Sequence, residues 1–157
     1  MQKGINLSHV KADTEIKDSY RVIGTLDGEK QPYKISIADD ATVTLDGVTI
    51  SGVKSQKWAG LTCSGDATII LADGSTNTLT MHNESANTGI AIGGEGTTLT
   101  IDTETAGTGT LTAQGGINAT GIGTNINTSG GKVAIMAATT IRKSFFILLF
   151  ILVSFTC

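Results

Sequence analysis

Proline and aromatic rings are nearly missing from this chain, whose 157 residues include one proline, one tryptophan, two tyrosines and four phenylalanines. A thick globular core draws on large rings, so their scarcity argues against one. It leaves room for a narrow core of Val, Ile, Leu and Ala. Cysteine is equally scarce: Cys63 and Cys157 cannot build a disulfide framework. Cys63, in the apolar run Leu61-Thr-Cys63, reads as a small buried side chain. Cations are missing over a long stretch, for residues 58–131 hold no Lys or Arg. Asp66, Asp73, Glu84, Glu95, Asp102 and Glu104 make that stretch six charges negative. Such a surface repels phosphate backbones, which argues against nucleic acid as a partner and against polyanionic substrates such as polyuronate. Residues 1–10 also lack the apolar run of a signal peptide.

Glycine and threonine are plentiful instead, at 20 and 25 residues. Threonine is β-branched and favours strands, while glycine supplies the positive φ that tight corners need. The threonines fall in a phrase that recurs: Ala41-Thr-Val-Thr-Leu45, Ala67-Thr-Ile-Ile-Leu71, Thr97-Thr-Leu-Thr-Ile101 and, more faintly, Lys132-Val-Ala-Ile135. Its anchors Val43, Ile69, Leu99 and Val133 lie 26, 30 and 34 residues apart. Repetition at such a period marks a solenoid, in which each repeat hides its apolar side by stacking on its neighbours. Within each repeat, three short strand phrases alternate apolar and polar residues between turn signals. The spacing predicts an all-β fold, a right-handed parallel β-helix of about three to four coils with three strands per coil. An antiparallel meander of the same strands is the competing arrangement.

Three stacks follow from that reading. The first aligns Val43, Ile69, Leu99 and Val133, with Leu45, Leu71, Ile101 and Ile135 beside them. The second aligns Val48, Leu79 and Leu111, and the third Leu61, Ile90 and Ile122, each behind a glycine. Thr42, Thr44, Thr78, Thr80, Thr98 and Thr100 are expected to face outward. Residues 1–40 read as an irregular cap and starting coil, with strands at Tyr20-Arg-Val-Ile23 and Tyr33-Lys-Ile-Ser-Ile37 and a charged cap or disordered lead at 11–17. Residues 41–137 form the coils.

Residues 138–157 change character. Ser144-Phe-Phe-Ile-Leu-Leu-Phe-Ile-Leu-Val-Ser-Phe-Thr-Cys157 is almost unbroken apolar and follows Arg142-Lys143. As a helix it rises only about 21 Å, short of the ~30 Å hydrocarbon layer. With its basic start, apolar middle and terminal cysteine it resembles a bacterial lipoprotein signal peptide, which belongs at the opposite end of a secreted protein. The expectation is a solenoid cut near Ala137 and joined to a foreign or rearranged export signal. A short membrane anchor and a hydrophobic cap on the open end are the alternatives.

The residues show no sign of a reaction. A lyase or polygalacturonase needs clustered carboxylates, a base or a calcium site, and Asp39-Asp40 is the only adjacent acidic pair. Asp46 and Asp73 each precede glycine and read as turn residues, as does Asp66 after Gly65. Gly93-Gly-Glu-Gly96 begins like a calcium-binding repeat, yet Thr98 stands where a ligating Asp belongs. His9 and His82 have no metal-ligand spacing. No catalytic residue, cofactor or metal is therefore assigned. Trp58, in Gln56-Lys-Trp-Ala-Gly60, is the residue best suited to stack on a pyranose ring, with Tyr20 and Tyr33 as further candidates for the same ligand. The bland alternative has Trp58 packing over a corner.

Several of these phrases carry a family resemblance: Tyr33-Lys-Ile-Ser-Ile-Ala-Asp39, Val43-Thr-Leu-Asp-Gly-Val-Thr-Ile50, Trp58-Ala-Gly-Leu-Thr-Cys63, Gly65-Asp-Ala-Thr-Ile-Ile70 and Thr98-Leu-Thr-Ile101. They resemble the right-handed β-helix domains of secreted and surface-anchored gut-bacterial proteins, often labelled carbohydrate-binding domain-containing proteins. The resemblance covers roughly residues 16–136 and implies that fold, without any catalytic set. That family continues for further coils with Ala-Gly-Ile-Gly corners, where this chain has only Thr120-Gly-Ile-Gly123 before it departs. The expected function is a non-catalytic, extracellular or cell-surface module that binds carbohydrate or serves as an adhesive or spacer. Glycans are the expected partner, and the membrane a second one through residues 144–157 if that tail is genuine. A fragment of a polysaccharide-degrading enzyme and a truncated product without function are the alternatives.

Overall fold

The computed structural model of the chain describes residues 2–124, 131–136 and 140–143, the last four by backbone alone. It is essentially all-β with parallel sheets. In chain order the strands are β1 Lys3–Asn6, β2 Thr14–Ile16, β3 Tyr20–Asp27, β4 Ile35–Ile37, β5 Ala41–Ser51, β6 Leu61–Cys63 and β7 Ala67–Leu71. They continue as β8 Thr76–Thr80, β9 Ile90–Ala91, β10 Thr98–Thr103, β11 Thr110–Gln114, β12 Ile122–Gly123, β13 Lys132–Ile135 and β14 Thr140–Lys143. One 3-10 turn, Leu7–His9, is capped by the Asn6 side chain accepting from the Ser8 N–H.

Every strand pairing among the described residues is parallel, and each joins a strand to its equivalent in the next repeat. One sheet runs β12-β9-β6-β4-β2. The larger sheet consists of two ladders that share the long strands β3 and β5. In one, β1, β3, β5, β7, β10 and β13 follow one another. In the other, the second halves of β3 and β5 continue into β8, β11 and β14. The chain thus visits the three ladders in turn and returns one level further along. The antiparallel meander is excluded. Arrangement in space follows from the side-chain alternation, because positions i and i+2 share a side of the strand. Ala67, Ile69 and Leu71 point to one continuous apolar core, as do Leu99 and Ile101 of β10.

The third expected stack holds, with Leu61 opposite Ile90 and Ile90 opposite Ile122. Gly60, Gly89 and Gly121 precede these residues, and a Cβ on Gly60 would stand 2.7 Å from the Gly89 carbonyl oxygen. The first stack holds from Val43 to Ile69 and from Leu99 to Val133, but its β7–β10 step and the whole of the second stack are displaced by two residues. Ile69 pairs with Val43 and with Ile101, while Leu99 pairs with Ala67 and with Val133. Ile50 pairs with Leu79, which pairs with Ala113, so Val48, Leu79 and Leu111 do not align. A slip of two keeps every side chain on its own side, which is why the alternation alone could not detect it. Its physical cause in β10 lies in the preceding corner, where the Thr98 N–H donates to Asp66 Oδ1 at 2.7 Å and seats Thr98 beside Asp66.

The first forty residues are more regular than expected. β1 and β3 pair in full register, and β2, within the segment read as a charged lead, pairs with β4. Thr44 also departs from expectation. It alternates to the outer side, but it is 3% exposed, with Arg21 opposite it and Gln2 donating to its hydroxyl at 3.1 Å.

One inward position is polar. Asn77 is fully buried at the level of Leu111, in line with Thr76, Thr78 and Thr80 on the opposite side of the strand. Its Oδ1 accepts from the Val48 N–H at 2.9 Å, and its Nδ2 donates to Ser75 Oγ at 2.8 Å and to the Thr110 carbonyl at 3.1 Å. Ser75 Oγ in turn donates to the Leu45 carbonyl. This amide spans the stretch where β5 passes from pairing with β7 to pairing with β8. Replacing Asn77 by Ala leaves a buried N–H and a buried carbonyl without that partner, and should cost about 3 kcal/mol in urea unfolding. A loss within experimental error would show that the buried amide does not hold the corner.

Candidate functional site

The corners collect the acidic residues, and most of these carboxylates hold backbone. Asp39 Oδ1 accepts from the Asp66 N–H at 2.8 Å, and Asp66 repeats the contact one level on with Thr98. Asp40 adopts φ 59, and its own N–H donates to the Asp66 carbonyl at 2.7 Å. Gly65 faces this corner so closely that a Cβ there would lie 2.1 Å from Asp39 Oδ1. Asp40 and Asp66 line a shallow open concavity of about 230 Å³ with Ala67, Thr68, Thr98 and Thr100. Its floor is the outer side of β7 and β10.

A second acidic corner lies at the other end of those strands. Both Asp73 oxygens accept from the Ala106 N–H, at 3.0 and 2.9 Å. Glu104 Oε2 accepts from the Asp73 N–H at 3.1 Å, and its Oε1 pairs with Arg21 Nη1 at 2.8 Å. Arg21 Nε also pairs with Asp46 Oδ2 at 2.9 Å. One guanidinium therefore ties β3 to the corner after β10, across two intervening strands. The Arg21 hydrogen bond, helped by the Asp73 N–H, holds the Glu104 carboxyl below its ordinary value. Asp27 moves the same way, held down by the Lys30 ammonium and then by the Glu29 N–H. A general acid at neutral pH requires a shift upward, so neither group suits that role.

The aromatic candidates divide between two places. Tyr33 lies two residues before β4 and Trp58 three residues before β6, and β4 pairs with β6. Both rings thus stand in the same turn of successive repeats, and both are half-buried. The Trp58 turn is braced by Gln56, whose Nε2 donates to the Trp58 carbonyl at 2.8 Å, and by Asn87, whose Nδ2 donates to the Gln56 carbonyl at 2.6 Å. Lys54 and Glu84 form an ion pair across neighbouring repeats in the same region. Tyr20 lies elsewhere. It is opposite Val43 in register, packs on the core, and carries the Lys3 ammonium 5.5 Å from its ring centroid.

Other residues singled out from the sequence have local roles. His82 Nδ1 accepts from the Glu84 N–H at 3.1 Å. The Gly93–Gly96 stretch is closed by Thr97, whose N–H and hydroxyl both donate to the Gly94 carbonyl. Among the described residues no three His, Cys, Asp or Glu side chains group as metal ligands. Cys63 is buried and unpaired with another cysteine, and burial pushes its thiol up to about 12. Residues 144–157 lie outside the described residues. Among those described, no helix is long and apolar enough to cross a membrane. The sequence reasoning missed Arg21 and Asn77. The alternation marks Asn77 as an inward residue, but nothing local marks Arg21 as a clamp over 83 positions.

The chain matches no protein-family model, no curated protein and no solved structure.

Two measurements check these assignments. Because thiolate is the reactive form, Cys63 in a Cys157→Ser variant should give no reaction with a disulfide reagent at pH 8 while folded and one full equivalent in denaturant; rapid labelling of the folded variant would contradict its burial. Glu104 has a depressed folded value, so its stabilisation is present above the unfolded carboxylate value of about 4.3 and is lost as pH falls further. The denaturant midpoint of Glu104→Gln should therefore lie below wild type at pH 7 and converge on it at pH 2–3. A constant gap would show that charge is not the cause.

Proposed function

We propose that this chain is a right-handed parallel β-helix module, non-catalytic, working outside the cell or at its surface as a carbohydrate-binding or adhesive spacer. The cyclic order of its parallel ladders supports the winding, with three strands per coil over roughly four coils. Handedness follows from the strong right-handed preference of crossovers between parallel strands. The resemblance to surface-anchored gut-bacterial β-helix domains supplies the setting.

One observation carries the non-catalytic reading. The acidic side chains that an enzyme of this shape would deploy are hydrogen-bonded into the backbone of the next repeat: Asp39 to Asp66, Asp66 to Thr98 and Asp73 to Ala106. A carboxylate in that role cannot leave its acceptor position to move a proton without opening a corner. For ligand contact the turn that bears Tyr33 and Trp58 is the best-suited aromatic surface. Tyr20, packed on the core beneath Lys3, contributes less ring to solvent-side stacking.

The test is binding on a glycan array, with Trp58→Ala as the partner variant. We expect wild-type binding to at least one neutral glycan and a loss of about tenfold or more on removing the indole, a tenfold loss being about 1.4 kcal/mol. Wild-type binding to no glycan reduces the function to the spacer alone. Release of reducing or unsaturated sugars by the wild type would overturn the non-catalytic reading.

A further inference from the structure

The ladder formed by β3, β5, β8 and β11 carries a row of threonines on its outer side. Thr25 is opposite Thr49, Thr49 opposite Thr78, and Thr78 opposite Thr112. Thr76 opposite Thr110 begins a second row two positions along the strands. The first row is exposed at Thr25 and Thr49 and half-exposed at Thr78 and Thr112. Within the described residues the hydroxyls of Thr25, Thr49, Thr78 and Thr112 make no hydrogen bond, whereas Thr110 Oγ1 donates to the Ser75 carbonyl. Arg142 holds the next register position after Thr112.

We infer that this row is a binding surface for an uncharged, extended β-1,4-linked polysaccharide lying along the stacking direction. The inference rests on the carbohydrate-binding reading above and adds the ligand class and a second contact surface. Parallel strands repeat about every 4.8 Å. An extended β-1,4-linked pyranose chain advances by roughly one such spacing per sugar and turns each sugar over relative to the last, so one sugar lies over each rung and alternate sugars offer opposite edges to the hydroxyls. Threonine in a strand has a stiff χ1, so the row is ordered before the ligand arrives and little side-chain entropy is lost on binding. The charge pattern selects the polymer. From Thr49 to Thr112 the row itself bears no ionisable group, while the acidic corner of Asp73 and Glu104 lies beside it, between β7 and β8 and between β10 and β11, so a polyuronate meets a repulsion that a neutral chain does not. Trp58 lies in the segment that follows β5, which ends at Ser51 two residues after Thr49.

The test is retention of the full chain on insoluble cellulose and mannan, with starch granules as an α-linked control and ice as a second periodic solid. Two triple variants are compared: Thr49→Val, Thr78→Val, Thr112→Val, which removes the hydroxyls and keeps the branching, and the same three positions changed to Ser. Thermal unfolding and circular dichroism verify that both stay folded. The expected result is wild-type retention on a β-1,4-linked polymer, at least tenfold weaker for the valine variant and largely restored by serine, with little retention on starch. Equal retention of wild type and valine variant overturns the inference. So does retention on ice alone. Loss of β-glycan binding by Trp58→Ala with no change in the valine variant also overturns it, and leaves the carbohydrate-binding reading standing. If the wild type binds neither these polymers nor any arrayed glycan, both fall together.

Discussion

The structure depends on how corner backbone is satisfied. Parallel strands cannot be joined by two-residue hairpins, so each strand is followed by a turn whose N–H groups have no partner in their own strand. Here the neighbouring repeat supplies the partner. Asp39 and Asp66 do this before the strands of the first ladder, Asp73 and Glu104 after them. Each contact joins one level to the next and sets the register of the strand between. An unmade bond of this kind in a buried or half-buried corner costs about 1–3 kcal/mol, so a corner that loses its acceptor loosens the strand it positions.

The core follows from that register. Val43, Ile69 and Ile101 form one column with no exposed surface, and each is worth roughly 1.5–3 kcal/mol of burial. Ala67 beneath Leu99 sets a small side chain against a large one, the kind of alternation that close packing requires. In the ladder of β5, β8 and β11 the inward position opposite Leu111 is polar, and there Asn77 satisfies three backbone or side-chain partners at once. On the outer side, Arg21 draws Asp46 and Glu104 together and covers Thr44. Those ion pairs are about one-third exposed, so their contribution is screened and modest, and their effect is to fix which side chains reach solvent.

Much of this was legible in the residues, for a physical reason. The phrase Ala-Thr-Val-Thr-Leu alternates with a period of two, so it declares both the strand and its apolar side, and its recurrence declares the neighbour. Leu61, Ile90 and Ile122 could be aligned because a glycine precedes each and the backbone packs closely there. The levels of β10 on β7 and of β8 on its two neighbours could not be read, because a shift of two leaves the alternation intact, and for β10 the deciding bond, Thr98 to Asp66, joins residues 32 apart. Asn77 stands at an inward position of the alternation, but nothing in the run around it declares its partners Val48 and Thr110, 29 and 33 residues away. Tyr20 was a further candidate for the ligand of Trp58, and its register opposite Val43, which packs it on the core, is not legible from the residues around it. The lower-lying function is harder to read than the fold, since the same threonines that specify strands are the ones available to a ligand.

The measurement that bears most directly on this account is the pattern of interstrand nuclear Overhauser effects between β5, β7 and β10 in isotope-labelled protein. Parallel stacking at the described register predicts backbone contacts that link Ile69 to Val43 on one side and to Ile101 on the other, without the close Hα–Hα contacts of antiparallel strands. Contacts from Ile69 to Leu99 at the same level, or Hα–Hα contacts between these strands, would contradict it.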